Sequence, residues 1–164
     1  MSFLNVSRLV LLSLWLGAAV YFSAVVAPSA FSILRSFALT NSSEIAGTIV
    51  TRTLAVVNIS GFVVAIFLLL TLFAAKGTKG RVPFLTETIC GGVLLITTGV
   101  GHWVIASRMR ALRAAMAIPI DQVPVSDARR VTFNSLHVYS VNALTLAMIA
   151  ALVAIVIIAW KGRS

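Results

Sequence analysis

Four long stretches of the chain carry no charged residue: Leu9–Leu34, Thr53–Ala75, Thr88–Ser107 and Val131–Trp160. A helix needs about 20 mainly apolar residues to cross the hydrocarbon layer of a bilayer, and each stretch is long enough. The sequence therefore predicts an all-α integral membrane four-helix bundle. The remaining residues are divided among termini and short links, too few for a separate soluble domain, so residues 1–164 read as one domain. Composition agrees: 60% of residues are hydrophobic and the mean hydropathy is +1.06, against an apolar share of roughly 45–50% in soluble domains.

The formal charge is +9. In a soluble protein such an excess points to nucleic acid. Here the cations flank apolar runs, where they meet lipid headgroups, and no nucleic-acid partner is expected. Arg108, Arg110, Arg113, Arg129 and Arg130 are assigned to headgroups or to the acidic surface of a partner. The single cysteine, Cys90, lies inside the third run and reads as a small packing residue. Arg8 followed by Leu9–Val20 fits the start of a signal peptide. However, the apolar run continues to Ala27 and Pro28 follows the best cleavage position, so a retained first helix is expected.

Local signals refine the four crossings. Pro28 predicts a kink in the first helix, and Ala19, Ser23 and Ala27 form a stripe of small residues suited to close helix contact. Asn41 with Glu44 has capping-box spacing, so a helix should start there and run into the second crossing. Lys76–Pro83 reads as a compact turn. Gly91, Gly92, Gly99 and Gly101 predict close contacts along the third helix. Met109, Leu112 and Met116 extend that helix as an amphipathic stripe that Pro119 ends. Ser126 is the expected cap of the fourth helix, with Asp127 favourable for its dipole. From Asp127 to Trp160 this helix would measure roughly 50 Å against a hydrocarbon core of about 30 Å. Its N-terminal part should therefore project from the membrane beside the extension of the third helix, as a protruding hairpin. Ala143, Ala147 and Ala151 give it a small-residue stripe, and Trp160 with Lys161 and Arg163 resembles an interfacial anchor. One of the two small-residue stripes is expected to serve the bundle and the other an external partner.

Four crossings put both termini and the 76–83 link on one side, called side A, and the other two links on side B. Side A carries Arg8, Lys76, Lys79, Arg81, Lys161, Arg163 and the terminal amine. Side B carries Arg35, Arg52, Arg108, Arg110, Arg113, Arg129 and Arg130. The positive-inside rule therefore leaves the orientation open.

Two segments carry a resemblance. Leu14–Phe31 (LWLGAAVYFSAVVAPSAF), with Glu44–Gly47 (EIAG) after it, and Phe133–Asn142 (FNSLHVYSVN) resemble the uncharacterised four-helix membrane family called domain of unknown function 4149, which is related to transmembrane protein 205. There is a more distant similarity to the membrane domain of copper-resistance protein D. The resemblance implies a four-helix protein of a bacterial inner membrane and no established activity. A copper role would fall to histidine and methionine, and the chain has only two and four of these.

Candidate chemistry concentrates towards side B. His102 and His137 are expected at similar depth, with Asn58 at the same level, Asn134 three residues before His137 on one helix face, and Asn142 one turn deeper. One reading makes these side chains interhelical hydrogen-bond partners. A second makes His102, His137 or both axial ligands of a haem or chlorophyll, with Gly99 and Gly101 leaving room for a flat ring. A transition-metal site lacks further ligands at that level, so no metal ligand is assigned, and a transport path or lipid pocket is the remaining possibility. Glu87 is expected near Arg81 at the side-A edge, as a solvated or paired surface carboxylate. No nucleophile or phosphate-binding motif is present, and no enzymatic activity is expected. The predicted role is a small structural or accessory subunit packing against itself or a larger membrane complex. The alternatives are a tetrapyrrole-binding subunit of a redox or photosynthetic complex, and an exporter of metals or small cations.

Overall fold

The computed structural model describes residues 3–37, 39–74 and 80–161. Four long helices account for nearly all of them: α1 (Phe3–Ser36), α2 (Ser42–Ala74), α3 (Arg81–Met116) and α4 (Ala128–Lys161). Among the described residues there is no strand. The first half of the turn expected at Lys76–Pro83 lies outside the described residues; Gly80 is the extended N-cap and Arg81 to Pro83 the first turn of α3.

Each helix packs against its neighbours in chain order, and α1 closes the ring on α4. α1 and α3 therefore stand diagonally across the bundle. The core is a column of apolar side chains from all four helices, including Leu12, Trp15, Leu68, Leu94, Ala151 and Ile158. Two contacts set how closely the helices approach. The Trp15 indole N–H donates to the Val57 carbonyl at 2.9 Å, and its ring lies where a Cβ on Gly61 would be, 2.6 Å from the indole nitrogen. Only glycine at position 61 lets α1 and α2 meet in this way.

Two helices contain a wider turn. In α1 this π-helical segment is Phe22–Val26 and the α-helix resumes at Ala27. The irregularity expected at Pro28 therefore precedes the proline. A proline ring collides with the carbonyl four residues before it, here that of Ala24, and the wide turn contains that carbonyl. In α3 the corresponding segment is Val100–Ile105. It includes His102.

Both small-residue stripes turn inward. Ala19 in α1 and Ala147 and Ala151 in α4 are buried, and Ser23, Ala27 and Ala143 are half-buried. This corrects the expectation that one stripe would be left for a partner. Small side chains let α4 approach its neighbours, and the bundle uses both stripes for itself.

α4 has 34 residues, about 50 Å, as expected from the length of its apolar run. Its aromatic residues mark the part that spans. Trp160 and Tyr139 are 76% and 62% exposed, and 21 residues separate them, about 31 Å. That matches the hydrocarbon thickness, and Trp and Tyr favour the two interfaces. Trp103 on α3 is exposed at the level of Tyr139. The first turns of α4, the end of α3 and the start of α2 lie beyond this belt and form a cap on side B. Ala46, Met116 and Val123 are buried within the cap. The projecting hairpin is thus present, and α2 braces it.

Candidate functional site

The most unusual chemistry lies towards side A. Arg8 is one turn before Leu12 on α1, and Glu87 is one turn before Cys90 and Gly91 on α3. The inward faces of these two helices carry both charges into the bundle. The Arg8 Nη2 donates to the Glu87 Oε2 at 2.6 Å, and the two side chains are 2% and 3% exposed. Because α1 and α3 are diagonal, the pair crosses the centre of the bundle. Beside it lies a cavity of about 10 Å3, lined by Arg8, Glu87, Cys90, Leu68, Ala151 and Ala154 among others. That is room for about one water. The Arg8 Nε is buried without a hydrogen-bond partner among the described residues.

This arrangement corrects two expectations: Glu87 is not a surface carboxylate beside Arg81, and Arg8 is not a headgroup cation. Sequence order hides the pair because its members are 79 residues apart. One signal was available. Arg8 and Glu87 each fall a turn or two inside the side-A end of an apolar helix, where two opposite charges at matching depth can neutralise one another. Each charge alone would be costly in the bilayer. Paired, they form a neutral tie whose partners depend on one another.

Towards side B the polar residues do not converge on one point. Asn58 is buried and packs on Gly101, whose missing Cβ would meet the amide nitrogen at 3.2 Å. His102 is half-buried and stacks edge-on against Trp103, with ring centroids 5.0 Å apart. Its Nδ1 is buried without a hydrogen-bond partner among the described residues. Asn134, His137 and Asn142 are all exposed on α4. The hydrogen bond from Arg129 to the Ala115 carbonyl ties the end of α3 to the start of α4. The polar residues are thus divided between the buried Asn58, the half-buried His102 and an exposed face of α4.

The cap redistributes the arginines. Arg113 pairs with Glu44 at 2.6 Å, so Glu44 ties α2 to α3 and does not complete a capping box with Asn41. Asp121 accepts from the Ser43 amide at 3.2 Å. Arg129 binds Asp127 and the Ala115 carbonyl, both at 2.7 Å, and Arg130 donates to the Val123 carbonyl. Three of the five arginines assigned to headgroups therefore hold the cap together, while Arg108 and Arg110 are exposed. Asp127, and not Ser126, is the residue that caps α4: its Oδ1 accepts from the Arg129 amide at 2.8 Å. The side-chain hydrogen bond from Arg129 draws the Asp127 carboxyl down to about 2.

Comparison with protein families gives one result. The model of a family described as Domain of unknown function (DUF4149) matches residues 10–117. The chain belongs to this family. The match covers α1 to α3 and ends before α4, so the Phe133–Asn142 segment lies outside it. The more distant likeness to copper-resistance protein D is not shown by it. No curated protein and no solved structure matches the chain. The family assignment and the four long apolar helices together make the chain an integral membrane protein.

Proposed function

We propose that this DUF4149 protein is a non-enzymatic accessory subunit of a bacterial inner membrane, which packs within the bilayer against itself or a larger membrane complex. The observation that supports this reading is Asn142. Its amide is exposed on α4 three residues inside the Tyr139 belt, and it has no side-chain hydrogen bond among the described residues. A polar group at that level is costly when it faces lipid and tends to be turned towards protein. The inward faces of the helices are already used by the bundle, and a neighbouring chain packed on α4 would give this amide a partner.

Purification in a mild detergent followed by native mass spectrometry tests the reading. An oligomer or a complex with other membrane chains is the expected result, and a monodisperse lone chain overturns it. The tetrapyrrole alternative has less support. His102 and His137 are not brought together: His102 is half-buried on α3 and His137 is exposed on α4. A Soret or chlorophyll band that disappears in His102→Ala would restore that alternative.

A further inference from the structure

The Arg8–Glu87 pair leaves a charged donor over. A guanidinium only donates. Its Nη2 is bonded to Glu87, while its Nε is buried without a hydrogen-bond partner among the described residues. Arg8 is 2% exposed, so neither bulk water nor a headgroup reaches this N–H. Other buried donors of the bundle are matched: the Trp15 indole bonds the Val57 carbonyl and the Thr98 hydroxyl bonds the Leu94 carbonyl. An unmade buried donor carries its full desolvation cost. A buried ion pair holds well only when its remaining donors and lone pairs are satisfied too.

The same arginine lines the cavity at the centre of the bundle, which has room for about one water. A cavity of that size is dry when its wall is apolar and holds water when the wall offers roughly two to four polar partners. This wall is mixed. Leucines and alanines make most of it, and Arg8, Glu87 and the Cys90 thiol make the rest. The polar part decides what fits. The Nε–H calls for an acceptor, and the Glu87 carboxylate, which can take several hydrogen bonds at once, calls for a donor. A cation would face the guanidinium with the wrong sign. An anion would face the carboxylate with the wrong sign. An apolar guest would leave both groups unmet. A neutral molecule of one heavy atom that both accepts and donates meets both demands, and water is such a molecule. A bridging water is nearly as good enthalpically as a direct hydrogen bond.

We infer that the cavity is a binding site for one water, which accepts from the Arg8 Nε–H and donates to the Glu87 carboxylate. The water completes the tie between α1 and α3, and Ala154 on the wall keeps the space for it. The site lies within one copy of the chain and does not depend on any packing partner.

Water-edited solid-state NMR of the isotope-labelled chain in lipid bilayers tests it. The Arg8 Nε signal is identified by its loss in Arg8→Lys. It should gain magnetisation from water early, as the exposed Arg108 does, although its side chain is buried. Build-up as slow as that of the amide of Ala65, which is fully buried, overturns the site. A second measurement leaves the charges in place. Ala154→Ser and Ala154→Cys each put one heavy atom into the cavity and displace the water. The serine hydroxyl can accept from the Nε–H and donate to Glu87 in its stead, whereas a thiol does both weakly. Ala154→Cys should therefore unfold at least about 2–4 °C below Ala154→Ser. In a dry void the thiol, a small hydrophobe, would be the better filler. Ala154→Cys as stable as Ala154→Ser, or more stable, overturns the water.

Discussion

Arg8 and Glu87 show how far one residue's environment departs from its position in the chain. A buried pair is a poor source of net stability, because desolvation offsets the Coulomb attraction, yet removing one partner leaves a buried charge uncompensated. Arg8→Met or Glu87→Leu alone should therefore destabilise the bundle by about 3–5 kcal/mol, and the double replacement should recover most of that loss. Thermal unfolding in detergent checks it; equal destabilisation by the single and double variants would show that the charges are not coupled. Gly61 makes the same point without charge. An added Cβ would meet Trp15 on α1 at 2.6 Å and Thr98 on α3 at 2.9 Å, so no single shift relieves both. Gly61→Ala should cost about 1–3 kcal/mol through overpacking, with altered Trp15 fluorescence as the indole leaves the Val57 carbonyl. The sequence shows Arg8 and Glu87 at matching depth, but neither their pairing nor the Trp15–Gly61 contact was legible in it. Its periodicity reports the face of each helix, but not which helix lies across the diagonal.

At the scale of the helix, length and punctuation were legible and direction was not. The 33 residues of α2 and the 34 of α4 follow from apolar runs bounded by charges, and the paired ends of α3 and α4 follow from a helix too long for its bilayer. The small-residue stripes were visible, but not that both would face inward, because an entirely apolar helix has no polar face to mark its outside. Caps were legible to within a residue. Asp127 shares its capping role with an ion pair, and this gives α4 a pH dependence. The carboxyl ionises at about 2 in the folded chain against an ordinary value of 3.8. A lowered folded value means that the contribution is fully present above about pH 4 and is lost as pH falls towards 2. Hydrogen exchange at the Arg129 amide, corrected for its intrinsic rate, should show constant protection above pH 4 and fraying below it. Asp127→Ala should fray at every pH, and loss of the amide's protection near pH 6 in the unaltered protein would rule out the assignment.

At the scale of the whole molecule, the aromatic residues place the membrane and so decide which exposed surfaces lipid covers. Tyr139 and Trp160 enclose about 31 Å of α4, Trp103 lies at the Tyr139 level, and Arg52 and Arg108 fall just beyond it, where guanidinium groups reach phosphate. Exposed apolar residues inside the slab need no further explanation, whereas Val125 in the cap, 72% exposed, lies in water or at the headgroups. The placement predicts a sharp contrast between residues of similar exposure. In membranes opened to both sides and lacking Cys90, Val125→Cys should react rapidly with a charged maleimide. Leu146→Cys and Ile149→Cys should react slowly, because hydrocarbon covers them. Equal rates at positions 125 and 146 would mean that the aromatic belt does not mark the interface. In sealed vesicles of known orientation, the side from which Val125→Cys is labelled also identifies side B, which the nearly balanced cations leave open.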